Sequence, residues 1–275
     1  MKVYSKIDEL KGALAGSKSI GLVPTMGYLH EGHLSLVRRA KGENAVTVVS
    51  IFVNPMQFAP NEDLDKYPRD LERDEALLRA EGVDYLFCPT PEEIYPEGFC
   101  TKISLTGLTE TLCGASRPGH FDGVATVVTK LLSIVQPSTA YFGLKDYQQY
   151  LVINRFVKDL NLPYKICGVP IVREADGLAL SSRNVYLKPT EREAALSLSR
   201  SFAIVQRAKD EGKSVDTAIE EVVRFISSHG ENVVDYVEFV DPERLTPATT
   251  LTKPFMCMLA VKVGATRLID NKLFN

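Results

Sequence analysis

Ser19-Ile-Gly-Leu-Val-Pro-Thr-Met-Gly-Tyr-Leu-His-Glu-Gly-His-Leu-Ser-Leu-Val37 runs from a short apolar segment, through a turn punctuated by Pro24, Gly27 and Gly32, into the start of a helix. A strand that feeds a glycine-bearing loop and then a helix brings backbone N–H groups and the positive helix end together, an arrangement suited to an anion such as phosphate. His30 and His33 stand at that turn and add donors aimed at the same anion. Gly32 between them permits close approach of the chain, where any Cβ would obstruct a ligand or the turn. A zinc-protease helix needs histidines four apart on one helical face, and these are three apart around a glycine. An ordinary polar strand-to-helix loop is the remaining alternative on this stretch alone.

Working outward, apolar strands alternate with helical patterns. Strands are expected over 20–23, 45–53, 83–88, 139–142 and 164–169, and helices over 34–41, 69–80, 123–135 and 147–160, after an amphipathic lead at 6–15. Near-continuous runs such as Val46-Thr-Val-Val-Ser-Ile-Phe-Val53 fit strands covered on both faces of a parallel sheet. The alternation predicts right-handed βαβ crossovers in a Rossmann-like sheet with helices on both faces. Residues 101–105 read as a further edge strand. From about residue 174 the texture changes to two helical patterns, 190–211 and 214–228, followed by strands at 233–240, 255–263 and 266–269. Helices followed by strands predict a separate, smaller α+β domain. The reading is therefore a Rossmann-like domain over 1–173 and a small α+β lid domain over 174–275.

Composition excludes several classes. The 275 residues are 45% hydrophobic and 24% charged, which supports a sizeable core. A formal net charge of −3 argues against a nucleic-acid binder, whose affinity comes from clustered Lys and Arg. No apolar run has the length of a membrane span and the first residues lack a signal-peptide pattern, so a cytoplasmic protein without a membrane partner is expected. Cys88, Cys100, Cys113, Cys167 and Cys257 are scattered, with no Cys-x-x-Cys pair to suggest zinc and no even framework to suggest disulfides.

Four further stretches place polar groups where a nucleotide-binding sheet needs them. Ile51-Phe-Val-Asn-Pro-Met-Gln-Phe58 ends a strand and turns at Asn54-Pro55, presenting Gln57, whose amide suits a neutral or hydroxylated substrate. Arg117-Pro-Gly-His-Phe-Asp-Gly123 sets Arg117 and His120 beside a helix start, where a carboxylate or phosphate is well received; a surface loop with Asp122 as helix cap is the alternative. Tyr141-Phe-Gly-Leu-Lys-Asp-Tyr-Gln-Gln149 repeats strand end, glycine and helix start, with Lys145 as a cation for phosphate, Asp146 as an acceptor for a ribose hydroxyl, and Gln149 one turn beyond Lys145. A solvated Lys145–Asp146 pair is the plain alternative there. Leu178-Ala-Leu-Ser-Ser-Arg-Asn184 offers two hydroxyls and a cation, as a polyphosphate clamp, a polar hinge, or both.

Together these five stretches, in this order, resemble the pantoate–β-alanine ligase (pantothenate synthetase) family of the His-x-Gly-His nucleotidyltransferase superfamily. The resemblance implies an ATP-dependent ligase that makes pantothenate through pantoyl adenylate, with Mg²⁺ bridging phosphate oxygens. It implies that Met26, Gly27, Tyr28, Leu29, His30, Glu31, Gly32 and His33 contact ATP. Gly143, Leu144, Lys145, Asp146, Val172, Leu180, Ser181, Ser182 and Arg183 complete that site, and His30, His33, Lys145 and Arg183 carry the chemistry. Gln57 and Gln149 hold pantoate, with Asn54, Arg117 and His120 also on the substrate side, and Asp74 is expected to help hold Mg²⁺ through water. Leu144 stands where relatives commonly carry a charged residue, and its side chain is expected to point away from the phosphates. Pantoate and β-alanine are the implied partners, with no nucleic acid, and a homodimer is the family's usual assembly.

Overall fold

The computed structural model describes residues 1–59, 62, 64–230 and 232–275. They form two compact units, Met1–Leu144 with Gln148–Pro170, and Lys145–Tyr147 with Ile171–Asn275. In chain order the first unit contains β1 (Lys2–Tyr4), α1 (Ile7–Leu14), β2 (Ile20–Thr25), α2 (Glu31–Glu43), β3 (Val46–Ile51), α3 (Leu71–Ala80), β4 (Tyr85–Phe87), α4 (Pro91–Ile94), α5 (Cys113–Ser116), α6 (His120–Val135), β5 (Thr139–Gly143), α7 (Tyr147–Asp159) and β6 (Lys165–Val169). The first residue of α7, Tyr147, clusters with the second unit.

All six strands run parallel in the order β1-β4-β3-β2-β5-β6. Successive residues of the central strands face opposite ways, as the pleat demands. Leu22, Val48, Phe87 and Phe142 enter one core with Leu10 of α1, Val128 and Leu132 of α6 and Ile153 of α7. Val23, Val49, Leu86 and Tyr141 enter the other, with Val37 of α2 and Leu78 of α3. The sheet is thus covered on both faces, and the strand order reverses between β2 and β5. Ligands of such sheets bind beyond the carboxyl ends of the strands at that reversal, where the loop after Thr25 and the turn after Gly143 leave the sheet.

Local chemistry sets the helix starts. Asp70 caps α3 by accepting from the Arg73 N–H at 3.1 Å, and Thr90, followed by Pro91, caps α4. Two expectations need correction. Residues 101–105 are not a strand; the Ile103 N–H instead donates to Thr126 Oγ1 at 3.0 Å, and the sheet edge is taken by β1. The helix expected from 123 begins at His120 with Gly119 as cap at φ 82°, so Asp122 lies inside the helix and pairs with Lys102 at 3.0 Å.

The second unit holds α8 (Pro189–Asp210), α9 (Val215–Ser227), β7 (Val233–Val240), β8 (Phe255–Val263) and β9 (Thr266–Phe274). The strands form an antiparallel sheet in the order β7-β8-β9. Its apolar face, including Phe239, Phe255, Leu259 and Phe274, packs on Leu198, Phe202 and Val205 of α8 and on Val222 and Ile226 of α9. Among the described residues no helix is long and apolar enough to cross a membrane.

Candidate active site

The loop between β2 and α2 is closed by its own polar groups. Thr25 Oγ1 donates to the Ser50 carbonyl at 2.9 Å and accepts from the Gly27 N–H at 3.2 Å. Gly27 and Tyr28 both take left-handed backbone, with φ of 82° and 51°; a Cβ on Gly27 would stand 3.0 Å from Ile51 Cγ2. His30 then caps α2: its Nδ1 accepts from the Gly32 N–H at 3.1 Å, while His33 Nδ1 accepts from the His30 N–H at 3.3 Å. The two rings lie with centroids 4.0 Å apart. An imidazole nitrogen that accepts from a backbone N–H carries no proton, so these bonds assign both rings as neutral Nε2–H tautomers. Each histidine is therefore a donor through Nε2.

This corrects one expectation about the loop. The N–H groups of Gly27, Tyr28, Leu29, His30, Gly32 and His33 already have acceptors within the loop or on Asp74. The turn therefore presents side chains and the positive end of α2 rather than a cradle of open loop amides. Glu31 faces outward in an ion pair with Arg38.

Gln57 is buried at 8% exposure, its Nε2 donating to Met26 Sδ at 3.1 Å. Its Oε1 accepts from Asn54 Nδ2 at 3.1 Å. Asn54, at 1% exposure, spends its whole capacity internally: Nδ2 also donates to the Gly123 carbonyl at 3.1 Å, and Oδ1 accepts from the Met56 N–H at 3.3 Å and from Tyr95 Oη at 2.7 Å. Asn54 is thus a support that orients Gln57, with its hydrogen-bonding capacity used inside the protein. Gly123 lets α6 approach this turn, since a Cβ there would meet the Gln57 nitrogen at 2.6 Å. Arg117 is held by Glu62 through contacts of 2.6 Å each from Nε and Nη2, and His120 Nδ1 lies 2.8 Å from the Gln57 carbonyl. Burial pushes the Glu62 carboxyl up, but the hydrogen bonds and charge of Arg117 outweigh it and hold the group below its ordinary value. Glu62 was not legible as a partner, because a loop fixes which acidic residue reaches Arg117 and a loop has no period.

Gln148 and Gln149 divide their duties. Gln148 is buried and donates from Nε2 to the Leu108 and Thr111 carbonyls at 2.8 Å each, while Oε1 accepts from the Cys113 N–H at 3.0 Å. Gln149 is half-buried. Leu144 leans on β6, where a Cβ at Gly168 would meet its Cδ2 at 2.5 Å.

In the second unit the Lys145 carbonyl accepts from Asn271 Nδ2 at 2.8 Å, and Tyr147 Oη donates to the Pro242 carbonyl at 2.9 Å. The Lys145 ammonium lies 3.7 Å from the Asp146 carboxylate, which is about half exposed. Val172 and Leu180 are joined by a backbone bond of 3.0 Å. Ser181 Oγ accepts from the Arg183 N–H at 3.3 Å, shaping the turn that carries Ser182 and Arg183. Asn184 braces this segment by donating to Glu174 at 2.8 Å and to the Ala179 carbonyl at 3.1 Å.

Asp74 differs from expectation. Its side chain is 1% exposed, Oδ2 accepts from the Tyr28 N–H at 2.6 Å and Oδ1 from the Leu29 N–H at 2.7 Å. Burial raises its pKa, and the Leu29 and Tyr28 amides and Arg73 only partly counter the rise. With both oxygens bonded to loop amides and the side chain almost fully buried, Asp74 faces the loop backbone rather than solvent, where a water-bridged Mg²⁺ was expected. Among the described residues no group of three His, Cys, Asp or Glu side chains stands together to hold a metal.

The family described as Pantoate-beta-alanine ligase matches residues 2–273. A pantothenate synthetase of Moorella thermoacetica is 56% identical over 279 residues, covering 98% of each chain. One from Pseudothermotoga lettingae is 52% identical over 277 residues, covering 99% of each. Among solved structures, a pantothenate synthetase from Thermus thermophilus superposes with TM-score 0.95 at 50% identity, covering 99% of each chain. A pantoate-beta-alanine ligase from Francisella tularensis, complexed with beta-gamma ATP and beta-alanine, gives 0.85 at 38% identity, covering 99% of this chain and 97% of that one.

Proposed function

The chain belongs to the pantoate–β-alanine ligase family, and from that premise we propose how it works: it activates the carboxylate of pantoate as an acyl adenylate, then passes the acyl group to β-alanine. The overall reaction is an ATP-dependent ligation that yields pantothenate, AMP and pyrophosphate. A carboxylate is a poor acyl donor because oxide or hydroxide would have to leave. In the first half-reaction a pantoate oxygen bonds to the α-phosphorus of ATP as the bond to pyrophosphate breaks. In the second, the β-alanine nitrogen bonds to the acyl carbon, the bond to AMP breaks, and the amine proton goes to solvent.

No covalent nucleophile is needed from the protein. Its task is to hold two anions in line, offset their repulsion and shield the mixed anhydride from water. His30 and His33 serve as neutral donors through Nε2 to the triphosphate, so His33 stabilises charge on the leaving group instead of acting as a general acid. Lys145, Ser181, Ser182 and Arg183 are proposed as further phosphate-binding groups. Met26, Gly27, Tyr28, Leu29, Glu31 and Gly32 border the nucleotide, as do Gly143, Leu144, Asp146, Val172 and Leu180. Gln57 and Gln149 orient pantoate without adding charge, with Arg117 and His120 behind them. Mg²⁺ enters on the ATP phosphates, as part of the substrate. A cytoplasmic homodimer completes the proposal; a single-chain mass in sedimentation would contradict the dimer.

The observation that supports this reading is the reciprocal capping of His30 and His33 just past the carboxyl end of β2, which commits Nδ1 of each ring to the backbone. His33→Ala and Lys145→Ala should each slow single-turnover formation of pantoyl adenylate by roughly two orders of magnitude in a folded protein. An unchanged rate in either variant would remove that residue from the role.

A further inference from the structure

We propose that Asp74 is a positioning residue that clamps the signature loop: its buried carboxylate holds the backbone of Tyr28 and Leu29 so that His30 and His33 present their Nε2 donors. The proposal rests on the reading that this loop serves ATP.

Three observations converge on it. First, both carboxylate oxygens accept from consecutive loop amides at 2.6 and 2.7 Å, the shortest of the loop's hydrogen bonds given above, across 46 and 45 residues of sequence. Charge-assisted bonds of this length are about twice as strong as neutral ones. Second, Tyr28 sits at φ 51°, a left-handed conformation that is unfavourable for a residue with a Cβ and persists only where the surroundings hold it. The Asp74 carboxylate supplies that restraint at the Tyr28 N–H, and Gly27 allows the wrap, since a Cβ there would stand 3.2 Å from Asp74 Oδ2. Third, the neighbouring Arg73 reaches the same residue from outside: its guanidinium lies 5.2 Å from the centroid of the Tyr28 ring and 3.7 Å from Asp74 Oδ1. Consecutive residues of α3 thus hold the loop, one with a carboxylate on its amides and one with a cation over an aromatic face. The α2 cap begins two residues later, so slack at Tyr28 is passed directly to the histidines.

The test uses the full-length protein and pantoate-dependent exchange of labelled pyrophosphate into ATP. Once wild type shows that exchange, Asp74→Asn, which keeps one acceptor, should raise the KM for ATP by roughly tenfold, and Asp74→Ala by more. The KM for pantoate should move less than about twofold, because the Gln57 side chain is held by Met26 and Asn54 rather than by Asp74. In wild type without ATP, the amide protons of Tyr28 and Leu29 should exchange with deuterium as slowly as those of β2. That second measurement stands even if both variants fail to fold. The proposal is overturned if the folded variants keep the wild-type KM for ATP, if only their Mg²⁺ dependence changes, or if those two amides exchange like free loop amides. Absence of exchange in wild type would fail the parent reading instead, and the deuterium result would still decide the clamp.

Discussion

At the scale of single residues, the two histidines act through different nitrogens for different ends. Nδ1 of each is spent on a helix cap, which makes Nε2 the nitrogen proposed to serve the substrate. An asparagine amide reproduces the position of Nδ1, and a glutamine amide that of Nε2. His33→Asn should therefore keep the cap and melt within a few degrees of wild type, yet lose roughly a hundredfold in adenylate formation. His33→Gln should retain more activity and less stability. The reverse ordering, read from thermal melts and single-turnover rates, would show that Nδ1 faces the substrate. None of this division was readable in the sequence, where His-x-Gly-His gives the residue types and spacing but not which nitrogen the backbone claims. Asp74 shows the same gap, since its carboxylate was legible and its contacts, 45 and 46 residues away, were not.

At the scale of elements, the turn after β3 is organised by its neighbours. Asn54 orients Gln57, Tyr95 completes Asn54, and Arg117 with Glu62 closes the outer side. Glu62 has its pKa lowered in the folded state, so the pair stabilises the fold above the ordinary carboxylate value of 4.5, and that contribution is lost as the pH falls through the depressed folded value. Replacing Arg117 by Met should cost about 2 kcal/mol near pH 7, and the difference from wild type should shrink as the pH falls below 4.5. A difference in denaturation free energy that stays constant through the acid range would mean that the pair contributes nothing. The long elements were legible because buried parallel strands and amphipathic helices have periods; β2, β3, β5 and both helices of the second unit fall close to where periodicity puts them. β1 is only Lys2–Tyr4, too short to show a period, and it takes the edge position that 101–105 seemed patterned for. The start of α6 was misread because Gly119 ends the loop by backbone conformation alone, whereas Asp122 looked like the better cap.

At the scale of the whole molecule, each compact unit carries its own share of the proposed groups: the histidines and Gln57 lie in the first, Lys145 and Ser181 to Arg183 in the second. Lys145 follows β5 directly in the chain, yet its carbonyl is held by Asn271 of β9. The ligase reading requires that this chain activate an acid by transfer to AMP before the amine takes part. That order is what distinguishes an acyl-adenylate enzyme from a nucleotidyltransferase of the same scaffold with another acceptor. The direct test is isotope exchange between labelled pyrophosphate and ATP in the presence of pantoate and Mg²⁺, with β-alanine left out. The account predicts exchange that depends on pantoate; exchange that ignores pantoate, or that starts only when β-alanine is added, would contradict it.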